Sequence, residues 1–456
     1  MVFTSPHADI TVPPLDLPTF LFSYAEQHSV FGTQPDLPAY IDDDVIISYA
    51  ELKHMASTFA AGLVNKLRLK PQDHVALVLP NTAFYGILVL GTHMAGCVCV
   101  TTNPLNTSSE LAHQFRMTQT KAVVTTMGAL ATLADSHIMT IDGNEDNFRR
   151  ACSSRPFPHA YIATKKQATT TPALVVFSSG TQGLPKGTSA ATANDPVIAE
   201  AERERKPRAT IAGYTQVVMR RFDVEEFCAL DAAVQTDVCS SGAACLCFSW
   251  QRAQYVKNYD LSSLVYLNCG AAPLGRELQD EGTRAAGCVI TNAYGLSEAS
   301  PVTHRSQIHG TPVGSAGVLL ASMECKIVDD GGKELGAGQQ GEICIRGPNL
   351  LIATASCHTG DIGYVDSSGY YFVTDRKKEL IKYNGFQRSL AIPDAKLATE
   401  IPKAFVVVRP EHSKPGIAMD VREWVDDRVA YYKKLRGGVA IVKEIPNVAS
   451  SSRPKL

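Results

Sequence analysis

Between Ser48 and Thr125 the chain switches repeatedly between two periodicities, and that alternation restricts the fold more than any other feature. Tyr49, Leu52, Met55, Phe59 and Leu63 recur at spacings of three and four, which predicts a helix over Ser48–Leu67. His74–Leu79 then reads as a strand closed by Pro80-Asn81. A helix over Ala83–Ala95, the strand Val98–Thr101, a helix over Leu111–Gln119 and the strand Ala122–Thr125 follow. Strands alternating with helices predict a doubly wound α/β layer.

Other stretches depart from this pattern. Residues 144–171 are polar and irregular, and Ala173-Leu174-Val175-Val176-Phe177 reads as a buried strand. Over 190–208 Ala, Glu, Arg and Lys replace the apolar pattern, which reads as an insert-like stretch, either an exposed helix or a disordered segment. After Gly310 the periodicity becomes that of strands: Cys325–Val328, Gly341–Gly347 and Tyr370–Val373. A charged, hinge-like stretch, Thr374–Asn384, comes next, and the remaining residues could form a small lid.

A length of 456 residues allows two or three domains and a sizeable core. The net charge of -2 argues against a nucleic-acid partner. None of the 12 cysteines forms a C-x-x-C or zinc spacing, so they are expected as free, buried thiols in a reducing compartment. Met1–Ile10 lacks a secretory pattern. Phe84–Val100 is apolar but broken by Gly86, Gly91, His93 and Gly96, which fits a buried helix and strand better than a membrane span.

Four segments, expected as loops or turns, carry chemistry. The first follows the predicted strand directly: Ser178, Ser179, Gly180, Thr181, Gln182, Gly183, Leu184, Pro185, Lys186, Gly187. Glycines let backbone N–H groups turn around an anion, the hydroxyls add donors, and Lys186 adds a point charge for phosphate. It lacks the Gly-Lys-Ser/Thr of the common nucleotide P-loop. The second is Asn292-Ala293-Tyr294-Gly295-Leu296-Ser297-Glu298: Tyr294 offers a flat face for a base, Ser297 a phosphate hydrogen bond, and Glu298 a ligand for Mg2+ on phosphate oxygens. Upstream, Asn268–Leu274, with Ala271, is a small-residue turn suited to close ligand approach. The third is Thr359-Gly360-Asp361, where the carboxylate could hold a ribose diol. The fourth is the run Asp375–Gly385, which taken alone reads as a solvated charged turn. Gly336-Ala337-Gly338-Gln339-Gln340-Gly341 fits G-x-G-x-x-G but lies between strand patterns with no helix after it, so it is expected as a β-turn.

Taken in order, these segments resemble the adenylate-forming acyl-CoA synthetase superfamily, the AMP-binding enzymes, and within it the 4-coumarate–CoA ligase-like branch of fungal type. Gly270-Ala271-Ala272-Pro273-Leu274, Tyr259–Leu264, Gly385-Phe386-Gln387 and Ile401–Val407 add to the likeness, which spans most of the chain. The resemblance implies a large N-terminal adenylation domain over 1–375, with doubly wound αβ layers and a β-rich subdomain. A small, truncated α+β lid over 376–456 completes it. It implies that a carboxylic acid, aryl or fatty, attacks ATP to give acyl-AMP, which coenzyme A then converts to the thioester, in a setting such as fungal secondary metabolism. It places Lys186 and the 178–183 loop on the β- and γ-phosphates, Tyr294 against adenine with Asn292, Ala293 and Ala271 beside it, and Glu298 on Mg2+. Asp361 and Arg376 are placed on the ribose, and Asn384, Gly385 and Gln387 where coenzyme A approaches, with Lys382 the nearest charge.

The chain also departs from this likeness. The segment between Lys186 and Arg221-Phe222-Asp223 is short for the family, and Phe386-Gln387 runs almost at once into Ala391–Lys403. Ser450 is followed by Ser451-Ser452-Arg453 where the family has Ser-Gly-Lys, so its adenylation lysine has no counterpart. An inactive or nucleotide-binding-only protein of the same fold is therefore the alternative. No G-x-S-x-G elbow points to a hydrolase. The final Pro454-Lys455-Leu456 is a near variant of the small–basic–Leu peroxisomal address, implying a peroxisomal import receptor as partner and, without it, a cytoplasmic protein.

Overall fold

The computed structural model describes residues 1–10, 15–25, 30–125, 139–142, 152–157, 171–178, 186–191, 215–234, 238–242, 258–270, 274–350, 356–377, 381–383, 386–388, 391–394, 399–406, 408, 415–427, 429 and 434–442. Three large sheets of five or six strands organise them, beside a three-stranded sheet of Gln216–Val217, Pro38–Asp42 and Val45–Ser48. The first has six strands in the order Met139–Asp142, Ala122–Thr125, His74–Val78, Val98–Thr101, Pro172–Ser178 and Lys186–Ala191. All neighbours are parallel except the last, which folds back antiparallel on Pro172–Ser178.

The helices flanking this sheet begin where local chemistry sets them. Ser48 accepts from the Glu51 N–H at 3.2 Å while the Glu51 carboxylate accepts from the Ser48 N–H at 2.8 Å, a capping box that starts the helix Tyr49–Asn65. Thr107 and Glu110 repeat the device at the helix Ser108–Thr118. That helix starts three residues before the expected Leu111, because its first turn is polar and only the cap marks it. Leu52, Phe59 and Leu63 are buried, as are Ile87 and Leu88 of the helix Phe84–Met94 packed against them. Each such side chain contributes about 1.5–3 kcal/mol. The apolar Phe84–Val100 stretch is therefore a buried helix and strand. No helix among the described residues is long and apolar enough to cross a membrane.

The second sheet carries Val238–Gly242, Tyr266–Gly270 and Val289–Gly295 in parallel, then Val302–Arg305 and Val318–Leu319 antiparallel. The third is antiparallel throughout: Val2–Thr4, Glu324–Val328, Gly341–Arg346, Cys357–Val365 and Tyr371–Arg376. Together they give mixed α/β layers with a β-rich part. Gly336–Gly341 is indeed a turn: the Gln339 N–H donates to the Gly336 carbonyl at 3.2 Å and a strand begins at Gly341. The described cysteines are free, and seven of the nine are buried.

Towards the C-terminus, Ile381–Tyr383 pairs with Phe386–Arg388 and Ala391–Asp394 with Thr399–Pro402. Ala404–Val406 pairs in parallel with Val439–Ile441, beside the helix Ile417–Asp426. Most of 190–208 lies outside the described residues; Ala190 and Ala191 end a strand.

Candidate active site

The ends of several strands meet around Tyr294. Asn292, Ala293 and Tyr294 are strand residues of Val289–Gly295, not loop residues as their composition implied. The chain breaks only after Gly295, and Ser297–Ala299 forms a single 3-10 turn carrying Ser297 and Glu298. The strand was hidden because Asn-Ala-Tyr-Gly has little strand propensity, and pairing on both sides overrides it. A Cβ on Gly295 would overlap the Pro301 carbonyl, so only glycine lets the chain turn there. Asn349 pins the turn from beneath, donating to the carbonyls of Ala299 at 2.8 Å and Val302 at 2.9 Å. The strand Lys186–Ala191 lies beside the Ser297–Ala299 turn. Its first residue, Lys186, pairs in register with Ser178, so the two ends of the phosphate-loop candidate stand side by side. Ser179, Gly180, Thr181, Gln182 and Gly183 lie outside the described residues, as do Ala271, Asn384 and Gly385.

Tyr294 is held on three sides. Its ring stands 5.4 Å from that of His304 at 51°, and His304 in turn packs 4.3 Å from Tyr371. The Thr303 hydroxyl donates to the Tyr294 carbonyl at 3.2 Å and accepts from His304 Nδ1 at 2.9 Å. That leaves Nε2 unprotonated and, fully buried, without a hydrogen-bond partner among the described residues. Burial pushes the His304 pKa down to about 3, so the ring is neutral. The sequence singled out neither Thr303 nor His304; a histidine in an apolar, strand-like stretch was the available signal.

The Tyr294 hydroxyl donates to Asp361 Oδ2 at 2.7 Å. Burial first, and then the Asp361 charge, hold this phenol well above its usual range, so it stays a donor. Asp361 Oδ1 accepts from Arg376 Nε, its register partner across two antiparallel strands. Thr359-Gly360-Asp361 is thus part of the strand Cys357–Val365, not a loop, and Thr374–Arg376 closes a strand where a hinge-like turn was expected. The Thr359 hydroxyl donates to the Ile343 carbonyl at 2.7 Å and accepts from the Asp361 N–H at 3.1 Å. Asp361 is 5% exposed. Each of its oxygens has a lone pair beyond those taken by Tyr294 and Arg376, which suits a hydroxyl donor.

Of the other expected residues, Asn292 is buried with its amide donating to the Ser315 carbonyl at 3.5 Å. Lys382 and Gln387 face each other in register in one hairpin. Glu298 is half-buried on its turn. The Cys357 thiol is pushed up by burial and then by the charges of Glu298, Glu342 and Asp361. Among the described residues no three His, Cys, Asp or Glu converge on a metal. Mg2+ characteristically takes one or two carboxylates and completes its shell with phosphate and water, and the single carboxylate of Glu298 beside the strand from Lys186 fits that donor set.

A family model for AMP-binding enzymes matches residues 27–195 and 208–352. The chain belongs to the AMP-binding enzyme family. It is 28% identical to probable 4-coumarate–CoA ligase 3 of Dictyostelium discoideum, over 98% of this chain and 95% of the relative. It is 28% identical to 4-coumarate:CoA ligase 1 of Petunia hybrida, over 99% and 95%. The fold is shared with o-succinylbenzoate CoA synthetase of Bacillus subtilis (TM-score 0.80, 20% identity, 95% and 96% covered) and a benzoate CoA ligase of Burkholderia xenovorans (TM-score 0.70, 18%, 95% and 97%). The first alignment runs over 540 positions, which 456 residues cannot fill, so at least the difference, 84 positions, faces gaps in this AMP-binding enzyme. The family match is itself interrupted between 195 and 208, inside the polar stretch of unusual composition.

Proposed function

We propose that this AMP-binding enzyme activates a carboxylic acid, most simply an aryl acid, and passes it to coenzyme A. The acid's carboxylate attacks the α-phosphate of ATP, the bond to pyrophosphate breaks, and acyl-AMP forms. The thiol of coenzyme A then displaces AMP. One observation carries the reading: Tyr294, Asp361 and Arg376, drawn from two sheets, form one hydrogen-bonded unit beside Glu298 and the strand from Lys186. In this reading the Tyr294 ring stacks on adenine, Asp361 and Arg376 hold the ribose, and Glu298 holds Mg2+, which neutralises phosphate charge. Lys186 and the 178–183 loop cradle the β- and γ-phosphates, and Lys382, Asn384 and Gly385 meet coenzyme A. Such chemistry is mostly positioning and charge stabilisation. An aryl acid is supported by the relatives named for 4-coumarate and the folds named for o-succinylbenzoate and benzoate. The domain reading, 1–375 with a lid over 376–456, is part of the same proposal.

The test is pyrophosphate release from purified protein with ATP, Mg2+ and a panel of aryl and fatty acids. Release that depends on an aryl acid supports the proposal and means adenylation proceeds without the lysine missing after Ser450. A folded protein that binds ATP yet releases nothing with any acid sinks it in favour of a nucleotide-binding-only role. For location, the proposal is a peroxisome: a fluorescent protein ending in Arg453-Pro454-Lys455-Leu456 should enter peroxisomes, and diffuse fluorescence would refute it.

A further inference from the structure

Glu342 stands in a strand run, Glu342-Ile343-Cys344-Ile345, whose every side chain is buried. A carboxylate in such a place needs partners, and three groups converge on it. The Gly360 N–H donates to Oε1 at 3.2 Å, Lys377 Nζ to Oε2 at 3.2 Å, and His358 Nδ1 stands 3.4 Å from Oε2. Burial pushes the carboxyl up, but the hydrogen bonds from Lys377, His358 and Gly360 outweigh it and hold it below its usual range. Lys377 also reaches Asp330 Oδ1 at 3.3 Å, and its backbone N–H donates to the Gly360 carbonyl at 2.7 Å. The Gly360 residue is therefore gripped at both its polar groups, its N–H by Glu342 and its C=O by Lys377. It holds φ at +71°, a conformation glycine adopts without strain.

The sequence neighbours of the gripped residues are the pair at the centre of the site: Asp361 follows Gly360, and Arg376 precedes Lys377. We propose that Glu342 is a positioning residue that, through Gly360 and Lys377, sets the Asp361 carboxylate and the Arg376 guanidinium in the geometry that recognises the ribose hydroxyls of ATP. The inference rests on the reading of Asp361 as the ribose-binding carboxylate. Glu342 itself touches no nucleotide; it acts by fixing two adjacent backbones whose side chains do. Its charge is needed, because a neutral amide would turn its N–H2 toward either the Lys377 ammonium or the Gly360 N–H, donor against donor.

The experiment is calorimetric binding of ATP and of 2′-deoxy-ATP, each with Mg2+, so no acid substrate has to be known. Glu342→Gln should weaken ATP about tenfold while leaving 2′-deoxy-ATP nearly unchanged, which removes the ribose preference. Lys377→Met, at a half-exposed side chain that leaves the core intact, should do the same, and the double variant should lose little more than either single one. A merely structural role would lower the melting temperature and keep the preference. Asp361→Asn separates the two claims. If Asp361→Asn loses the ribose preference while Glu342→Gln and Lys377→Met keep it, the positioning role is overturned. If Asp361→Asn keeps it, the ribose reading itself falls, and the positioning role with it.

Discussion

The Tyr294 hydroxyl and the Asp361 carboxylate, 67 positions apart in sequence, meet at 2.7 Å and tie the end of a parallel strand in one sheet to the middle of an antiparallel strand in another. Tyr294 thus has two separable parts, a ring and a hydroxyl. Tyr294→Phe keeps the ring and strips Asp361 of a donor. It should lower stability by about 1–2 kcal/mol and weaken ATP only a few-fold. Tyr294→Ala removes the stacking face as well and should weaken ATP by tenfold or more, since aromatic stacking on a base contributes about 1–3 kcal/mol. Melting curves and ATP titrations on both variants check this. Equal ATP affinity in the two would remove the ring from adenine recognition.

Gly360 separates backbone strain from contact. Among the described residues no heavy atom lies within 4 Å of a Cβ added there, so Gly360→Ala meets no clash with them and bears the cost of its positive φ, about 1–2 kcal/mol. Gly287, at φ +70° after the helix Arg276–Ala286, has the same property at the opposite end of the strand bearing Tyr294. The two alanine variants should lose similar stability, but only Gly360→Ala should weaken ATP. A similar affinity loss in both would show that the effect is general loosening of the fold.

His304 sets a pH dependence whose sign follows from its burial. Its pKa is about 3 in the folded protein and near 6.5 when unfolded, so below pH 6.5 the unfolded chain binds the extra proton. The stability is fully present above pH 6.5 and is lost progressively as pH falls toward 3. Between pH 7 and 5 this one group should remove about 2 kcal/mol. His74, also lowered by burial, adds a slope of the same sign, so the contrast with His304→Gln isolates the effect. Denaturant unfolding at several pH values should give a flatter profile in the variant; identical slopes would refute the neutral, buried state of His304.

The layers were legible in the sequence because their signals are local. The periodicity of Tyr49–Leu63 repeats from turn to turn, and the helix Tyr49–Asn65 lies within the Ser48–Leu67 that it predicts. The site was legible as a set of segments but not as a geometry. Asp361 and Arg376 are close only because two strands pair in antiparallel register, and Asn292–Gly295 is a strand only because neighbours on both sides supply its hydrogen bonds. Glu342 escaped notice for the same reason: its partners Gly360 and Lys377 are remote in sequence, and a single acid in an apolar run carries no motif.

Lys186 gives the sharpest test of the phosphate assignment. It begins the strand Lys186–Ala191 opposite Ser178, so its backbone is fixed by the hairpin ladder and its substitution should leave the fold intact. A point charge serving the β- and γ-phosphates contributes nothing to a nucleotide that lacks them. Lys186→Ala should therefore weaken ATP by about tenfold or more and leave AMP unchanged, while Lys186→Arg should recover part of the ATP affinity. Titration of the three proteins with both nucleotides reads this directly. Equal losses for ATP and AMP would move Lys186 from the terminal phosphates to the α-phosphate or the nucleoside, and unchanged ATP affinity would remove the 178–187 segment from nucleotide binding.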